Sequence, residues 1–141
     1  VPVATRSVAI VANTSSLPAA IEFLRQGARE ASLPEDRIGI LDLVIEEIFM
    51  NVCWHAYPEA SPGVVTLAYS IPEPGELRVE IADQGVEFNP LAAPPPDTTL
   101  DLESRPIGGL GVLLVKALTP SIAYRRDGDW NRLTFGLSAN S

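Results

Sequence analysis

Glu47, Asn51 and His55 stand at every fourth position of a segment that is otherwise apolar. The run around them is Ile38-Gly-Ile-Leu-Asp-Leu-Val-Ile45, followed by Ile48-Phe-Met50 and Val52-Cys-Trp54. A four-residue step advances about 40° around an α-helix, so the three side chains share one face. A helix that is apolar on most of its sides is normally buried. Placing a carboxylate, an amide and an imidazole on such a helix is unfavourable unless something meets them. The alternative is a helix edge that emerges into solvent. Glu46 points about 100° away from Glu47 and belongs to an exposed flank.

The rest of the chain bounds what that stripe can face. A length of 141 residues suits one domain with a real core, and 46% hydrophobic residues argues against disorder. The formal charge of −8, with a pI near 4.5, disfavours nucleic acid or an anionic membrane as a partner. An anionic small ligand stays possible, because backbone amides or a metal ion supply local positive charge. No apolar run is long enough to span a bilayer. The first residues, Val1 to Arg6, lack the pattern of a signal peptide. The chain opens on Val rather than Met, so native residues could precede it. Cys53 is the sole cysteine. It reads as a small buried hydrophobe, and with no partner for a disulfide a reducing cytoplasm is expected.

Periodicity orders the elements. Arg6 to Ala12 reads as a strand. Asn13-Thr-Ser-Ser16 offers helix caps, and Leu17, Ala20, Ile21, Leu24 and Ala28 carry a helical period. Leu33-Pro34 breaks it, and a second helix runs from Pro34-Glu-Asp36 to about Tyr57. Gly63 to Ile71 and Glu76 to Ala82 read as a hairpin around Pro72-Glu-Pro-Gly75. Asp83 to Ile107 is long and proline-rich, with no sustained period, as functional loops are. Leu110 to Leu118 reads as a third helix. Ile122 to Arg126 and Arg132 to Leu137 read as strands around Asp127-Gly-Asp129. The expected fold is an α+β two-layer sandwich, a mixed, mainly antiparallel sheet with about three helices on one face.

Two further segments carry chemistry. Asp83-Gln-Gly85-Val-Glu-Phe88-Asn-Pro90 lies at a strand end. An acid there can accept from an exocyclic amine, and Gly85 allows a bend or close approach; an ordinary turn is the plainer reading. Gly108-Gly109-Leu110-Gly111-Val112 leads into a helix whose N-terminal amides could hold phosphate; tight packing is the plainer reading. It is neither a Rossmann fingerprint, since Leu114 stands at the last glycine position, nor a Walker A loop. On the stripe itself, Glu47 could act as a general base and Asn51 could give oxygen to a hard cation such as Mg²⁺.

Taken in order, helix Glu-x3-Asn-x3-His-Ala-Tyr, strand-end Asp-x-Gly-x2-Phe-Asn-Pro, a long loop, and Gly-Gly-Leu-Gly opening a helix resemble the GHKL (Bergerat-fold) ATP-binding family. Within it, the chain is most similar to the anti-sigma factor serine/threonine kinases. The resemblance runs from about Val8 to Leu137, and the final Tyr124 to Phe135 stretch resembles that group's closing hairpin. It implies one ATP-binding domain over residues 1–141, with residues 90–107 as an ATP lid. It implies Glu47 as general base, Asn51 as the Mg²⁺ ligand, and Asp83 with Gly85 at the adenine amine. It places Gly109, Leu110 and Gly111 beside the phosphates, flanked by Gly108 and Val112. His55, Phe88 and Arg105 are further ATP-site candidates. Glu87 departs from the pattern, which often has Gly or Pro there. The closing strand often carries a Gly-Thr pair near the adenine acid, for which Asn131 and Thr134 are the candidates here.

The implied activity is ATP-dependent phosphorylation of a serine or threonine on a STAS-type anti-anti-sigma protein, together with sequestration of a sigma factor. A homodimer is a further implied partner. One alternative is a nucleotide-gated binding module without phosphotransfer. Another is an ATP-binding fragment of a histidine kinase; a complete one is excluded, because the sole histidine, His55, already lies inside the nucleotide motif.

Overall fold

The computed structural model describes residues 5–55, 63–92 and 109–139, with the backbone alone for residues 54, 55 and 109–113. Strand β1 spans Thr5–Val11, helix α1 Leu17–Glu30 and helix α2 Glu35–His55. Strands β2 (Val64–Ser70) and β3 (Glu76–Asp83) form a hairpin. Helix α3 spans Gly109–Leu118, and strands β4 (Ala123–Asp127) and β5 (Trp130–Ser138) complete the order. The five strands lie in one sheet, β1-β2-β3-β5-β4, and each neighbouring pair is antiparallel. The element order and the α+β sandwich expected from periodicity are what the chain forms.

The period-2 alternation of the strands sets the two faces. Val65, Leu67 and Tyr69 of β2, Leu77, Val79 and Ile81 of β3, and Leu133, Phe135 and Leu137 of β5 turn inward and are buried. Against them pack Ala20, Leu24 and Ala28 of α1 and Leu41, Val44, Ile45, Ile48 and Phe49 of α2, all but fully buried. The opposite sheet face carries small or polar groups such as Thr66, Ala68, Ser70, Glu80 and Thr134. An apolar inner face and a polar outer face explain why all helices settle on one side.

Local chemistry fixes the corners. Helix α1 ends in a Schellman motif: Leu33 N–H donates to the Ala28 carbonyl and Ser32 N–H to the Arg29 carbonyl, each at 3.0 Å. Ser32 takes the left-handed position there, with φ 61°. Gly27 on α1 lies against the Tyr69 ring so closely that a Cβ would come within 2.8 Å of it. Gly75 (φ 87°) donates to the Ala31 carbonyl and accepts from Ala139 N–H, both at 2.8 Å. It thereby ties the β2–β3 turn to the end of α1 and the end of β5. The two-residue turn between β4 and β5 has Gly128 first, at φ 60°, as a II′-type hairpin requires. Among the described residues, no helix is long and apolar enough to cross a membrane.

Candidate functional site

Along the inner face, β3 and β5 pair Leu77 with Leu137, Val79 with Phe135 and Ile81 with Leu133. The next inward pair is Asp83 with Asn131. Both are buried, at 2% and 5% exposure. A carboxylate at the end of an apolar ladder is tolerated only if its oxygens find donors. Asp83 Oδ1 accepts from Gly85 N–H at 2.8 Å and from Asn131 Nδ2 at 2.9 Å. Both of these bonds fall on Oδ1. Gly85 thus serves Asp83 through its own N–H. It does not adopt a left-handed backbone, which among the described glycines belongs to Gly75 and Gly128.

Asn131 is the hub of this end. Its Nδ2 also donates to the Val86 carbonyl at 2.8 Å. Its Oδ1 accepts from Tyr124 OH at 2.7 Å, Arg126 Nη1 at 3.1 Å and Phe88 N–H at 3.2 Å. Arg126 Nη1 further donates to the Gly85 carbonyl at 2.9 Å. Burial raises the Tyr124 phenol above its ordinary value, and the nearby Glu87 charge adds to this. The phenol is therefore a donor throughout the physiological range.

Beside Asp83 lies a narrow crevice of about 10 Å³, walled by Ile48 and Val52 of α2 and by Ile81 and Leu133 of the sheet. Phe88 and Pro90 also border it. Ile48 and Val52 each follow a member of the polar stripe by one residue, so Glu47 and Asn51 run along the helix about 100° round from the crevice wall. Larger depressions, of about 430 and 630 Å³, lie on the outer sheet face and around its Glu76–Leu77 end. They contain none of Glu47, Asn51 and Asp83, and their size alone gives them no chemistry.

On α2, Asn51 is buried at 3% exposure. Its Nδ2 donates to the Glu47 carbonyl at 2.6 Å, one helical turn back. That bond uses one of the two amide N–H groups and fixes which way the amide points, leaving the amide oxygen on its other side. An oxygen donor suits a hard cation. Among the described residues, no group of three His, Cys, Asp or Glu is placed to hold a metal. A Mg²⁺ ion here therefore fits only with most of its ligands drawn from phosphate oxygens and water, which is its usual habit. Glu47 is half-buried, and desolvation first, then the neighbouring Glu46 charge, raise its carboxyl above the ordinary glutamate value. Glu46 itself is exposed, as its position on the helix requires. Cys53 packs partly buried against the core, its thiol pushed up to about 11 by desolvation, which keeps it unreactive.

The remaining sequence candidates divide by place. Gly109, Leu110, Gly111 and Val112 form the first turn of α3, which packs against α2 and the short 3-10 turn at Pro90–Ala92. Their side chains, and that of His55 at the end of α2, lie outside the described residues, as do Gly108, Arg105 and most of the 90–107 segment. Thr134 is corrected. It is exposed on the outer sheet face, opposite Glu80 and Ala123, with buried Leu133 and Phe135 on either side. Strand alternation therefore turns it away from Asp83, and Asn131 is the closing-strand residue at the acid. Tyr124 and Arg126 were not singled out from sequence. The β4 register, which sets Arg126 opposite Asn131, is the signal that would have found Arg126.

The family described as "Histidine kinase-like ATPase domain" matches residues 10–137 of this chain. The serine/threonine-protein kinase BtrW of Bordetella bronchiseptica is 29% identical over 94 residues, 67% of this chain and 66% of that protein. The serine-protein kinase RsbW of Listeria monocytogenes is 29% identical over 125 residues, 81% of this chain and 79% of that protein. A solved structure of the RsbU and RsbW domains of Rv1364c from Mycobacterium tuberculosis superposes with a TM-score of 0.66 at 16% identity. It covers 97% of this chain but 33% of that one. A histidine kinase domain from Erythrobacter litoralis EL346 gives 0.54 at 20% identity, over 76% of this chain and 46% of that one. These two likenesses concern the fold. The chain spans just under two thirds of the Bordetella protein and one third of the Mycobacterium chain.

Proposed function

The chain belongs to the histidine kinase-like ATPase domain family, and from that premise we propose that it is an ATP-dependent protein serine/threonine kinase of the anti-sigma factor type. Its substrate is then a STAS-type anti-anti-sigma protein and its bound client a sigma factor. The family membership implies ATP, and the relatives named as serine kinases favour that branch. The single observation that carries the site assignment is Asp83: a carboxylate 2% exposed, held on one oxygen, at the mouth of an apolar crevice. Such a group suits the exocyclic amine of adenine, with Ile48, Val52, Ile81 and Leu133 against the ring. The crevice is too small for a purine as it stands. The backbone of the 85–88 turn is tied by hydrogen bonds, so opening falls to side chains such as Phe88.

In this reading each residue has one task. Asp83 selects and orients the base. The N-terminal amides of α3, from Gly109 onward, favour phosphate through their unpaired N–H groups. Asn51 Oδ1 would hold Mg²⁺, which when bound offsets charge on the phosphate oxygens. Glu47, whose raised carboxyl brings it closer to neutral pH, takes the proton from the incoming serine or threonine hydroxyl. Residues 90–107 serve as the lid, residues 1–141 as one ATP-binding unit, and the cytoplasm as the setting. Arg105, Gly108 and His55 remain part of the proposal as phosphate-side candidates.

Transfer of labelled γ-phosphate to a STAS-type protein encoded beside this chain tests the activity. Transfer that is lost in Glu47→Ala supports both activity and base. Transfer undiminished in Glu47→Ala removes the base assignment, and no transfer by the wild type with nucleotide bound leaves a nucleotide-gated binding module.

A further inference from the structure

We propose that Asn131 is the positioning residue that makes this site selective for a 6-amino purine over a 6-oxo purine. The inference rests on the adenine role of Asp83 and deepens it. Selectivity of that kind needs more than a carboxylate nearby. It needs one carboxylate oxygen held as an acceptor in a fixed direction, with no neighbouring donor able to swing in and welcome a carbonyl instead.

The network around Asn131 meets that requirement. Its Nδ2 donates to Asp83 Oδ1, and Gly85 N–H donates to the same oxygen. Two donors on Oδ1 fix the plane of the carboxylate and turn Oδ2 to the remaining side, toward the crevice that Asp83 borders. The orientation of the Asn131 amide is itself determined. Its oxygen accepts from Tyr124 OH, Arg126 Nη1 and Phe88 N–H, while its nitrogen faces the Asp83 carboxylate and the Val86 carbonyl. Turning the amide over would set its oxygen against Asp83 Oδ1 and the Val86 carbonyl and its nitrogen against Arg126 Nη1 and Phe88 N–H, so four of the five contacts would become repulsive, and only the Tyr124 hydroxyl could turn to accept. Asn131 therefore cannot present its NH₂ to a ligand, and it cannot release Oδ1 of Asp83. Arg126 supports it by holding the Gly85 carbonyl at 2.9 Å, which keeps the Gly85 N–H aimed at Asp83. A purine with an amine at position 6 meets a ready acceptor. One with a carbonyl there meets a fixed oxygen, beside an Asn131 amide that cannot turn to donate to it.

The test compares ADP with IDP, which differs in carrying a carbonyl for the amine, by titration into the full chain with Mg²⁺. Wild type is expected to prefer ADP. Asn131→Ala is expected to weaken ADP binding about ten- to a hundredfold while IDP changes little, so that the preference collapses toward unity. A merely structural role would weaken both nucleotides equally and leave the ratio intact, and that result overturns the proposal. Asn131→Ser restores a short donor near Oδ1 and should recover part of the preference. Should Asn131→Ala not fold, Tyr124→Phe and Arg126→Ala each loosen the amide from outside; both should lower the ADP-to-IDP ratio, and an unchanged ratio in the two overturns the proposal. A wild type that fails to bind ADP, or binds the two nucleotides alike, instead refutes the adenine reading of Asp83.

Discussion

The inward ladder between β3 and β5 has two ends made of the same geometry and opposite chemistry. At one end Leu77 faces Leu137, and the backbone around it is closed by Gly75, Ala31 and Ala139. At the other end Asp83 faces Asn131, held by Tyr124, Arg126 and the backbone of the 85–88 turn. The apolar end is satisfied by burial alone. The polar end gains nothing from burial and is kept by a dense set of hydrogen bonds, both of those to the carboxylate falling on Oδ1. Stability explains the first end completely. The second makes sense as a place prepared for something else to bind.

If that contrast holds, changes at the polar end should remove function and spare the fold, and changes at the apolar core should do the reverse. The largest effect is expected at Glu47. Glu47→Gln should lower phosphotransfer by about 10²- to 10⁴-fold with ADP affinity retained, measured by single-turnover transfer. Its pH behaviour sharpens the point. The folded carboxyl is raised by desolvation, so the native state binds more protons than the unfolded chain between the ordinary glutamate value and the raised one. The contribution of Glu47 to stability is full below that window and is lost as pH rises through it. Wild type should therefore be less stable than Glu47→Gln at neutral pH, and the gap should close on acidification in urea unfolding curves.

At the apolar end of the ladder, Leu77→Ala should do the opposite of Glu47→Gln. It removes a fully buried side chain and should lower unfolding free energy by about 2–5 kcal/mol, read by urea titration. Smaller is Gly27→Ala on α1. The better helix propensity of Ala, about 1 kcal/mol, is set against a Cβ 2.8 Å from the Tyr69 ring. That ring is tilted against Phe23 at 5.2 Å and tethered through its hydroxyl to Glu30 at 3.1 Å, so it has little room to yield. Overpacking of about 1–3 kcal/mol should prevail, and the melting temperature should fall. The smallest is Ser32→Gly, which relieves a left-handed serine and should raise stability by about 1 kcal/mol in the same assay. None of the three core and corner variants should alter the ratio of ADP to IDP affinity.

The fold was legible in the sequence where period and punctuation agree. The 3.6-residue period of Leu17 to Ala28, the strands on either side of Pro72-Glu-Pro-Gly75 and the Gly128 turn left little choice. The stripe of Glu47 and Asn51 was legible because polar groups on an apolar helix demand a reason. Strand register was not, since it depends on contacts between segments distant in sequence. That is why Thr134 and Asn131 could not be separated by reading alone: they differ by three positions, hence by sheet face, once β5 is paired with β3. Tyr124 and Arg126 were hidden for the same reason, since nothing local marks them. The back-bond from Asn51 to the Glu47 carbonyl is local, at one helical turn, yet a sequence shows only that it is possible.

The central question is whether the buried Asp83 end of the ladder receives an adenine nucleotide. Calorimetric titration of Mg-ADP into the wild-type chain and into Asp83→Asn tests this directly. The expected result is saturable binding by the wild type and affinity at least about tenfold weaker in Asp83→Asn, with the melting temperature of the free protein little changed. Absence of binding by the wild type at millimolar Mg-ADP, or equal affinity in the two proteins, would contradict it.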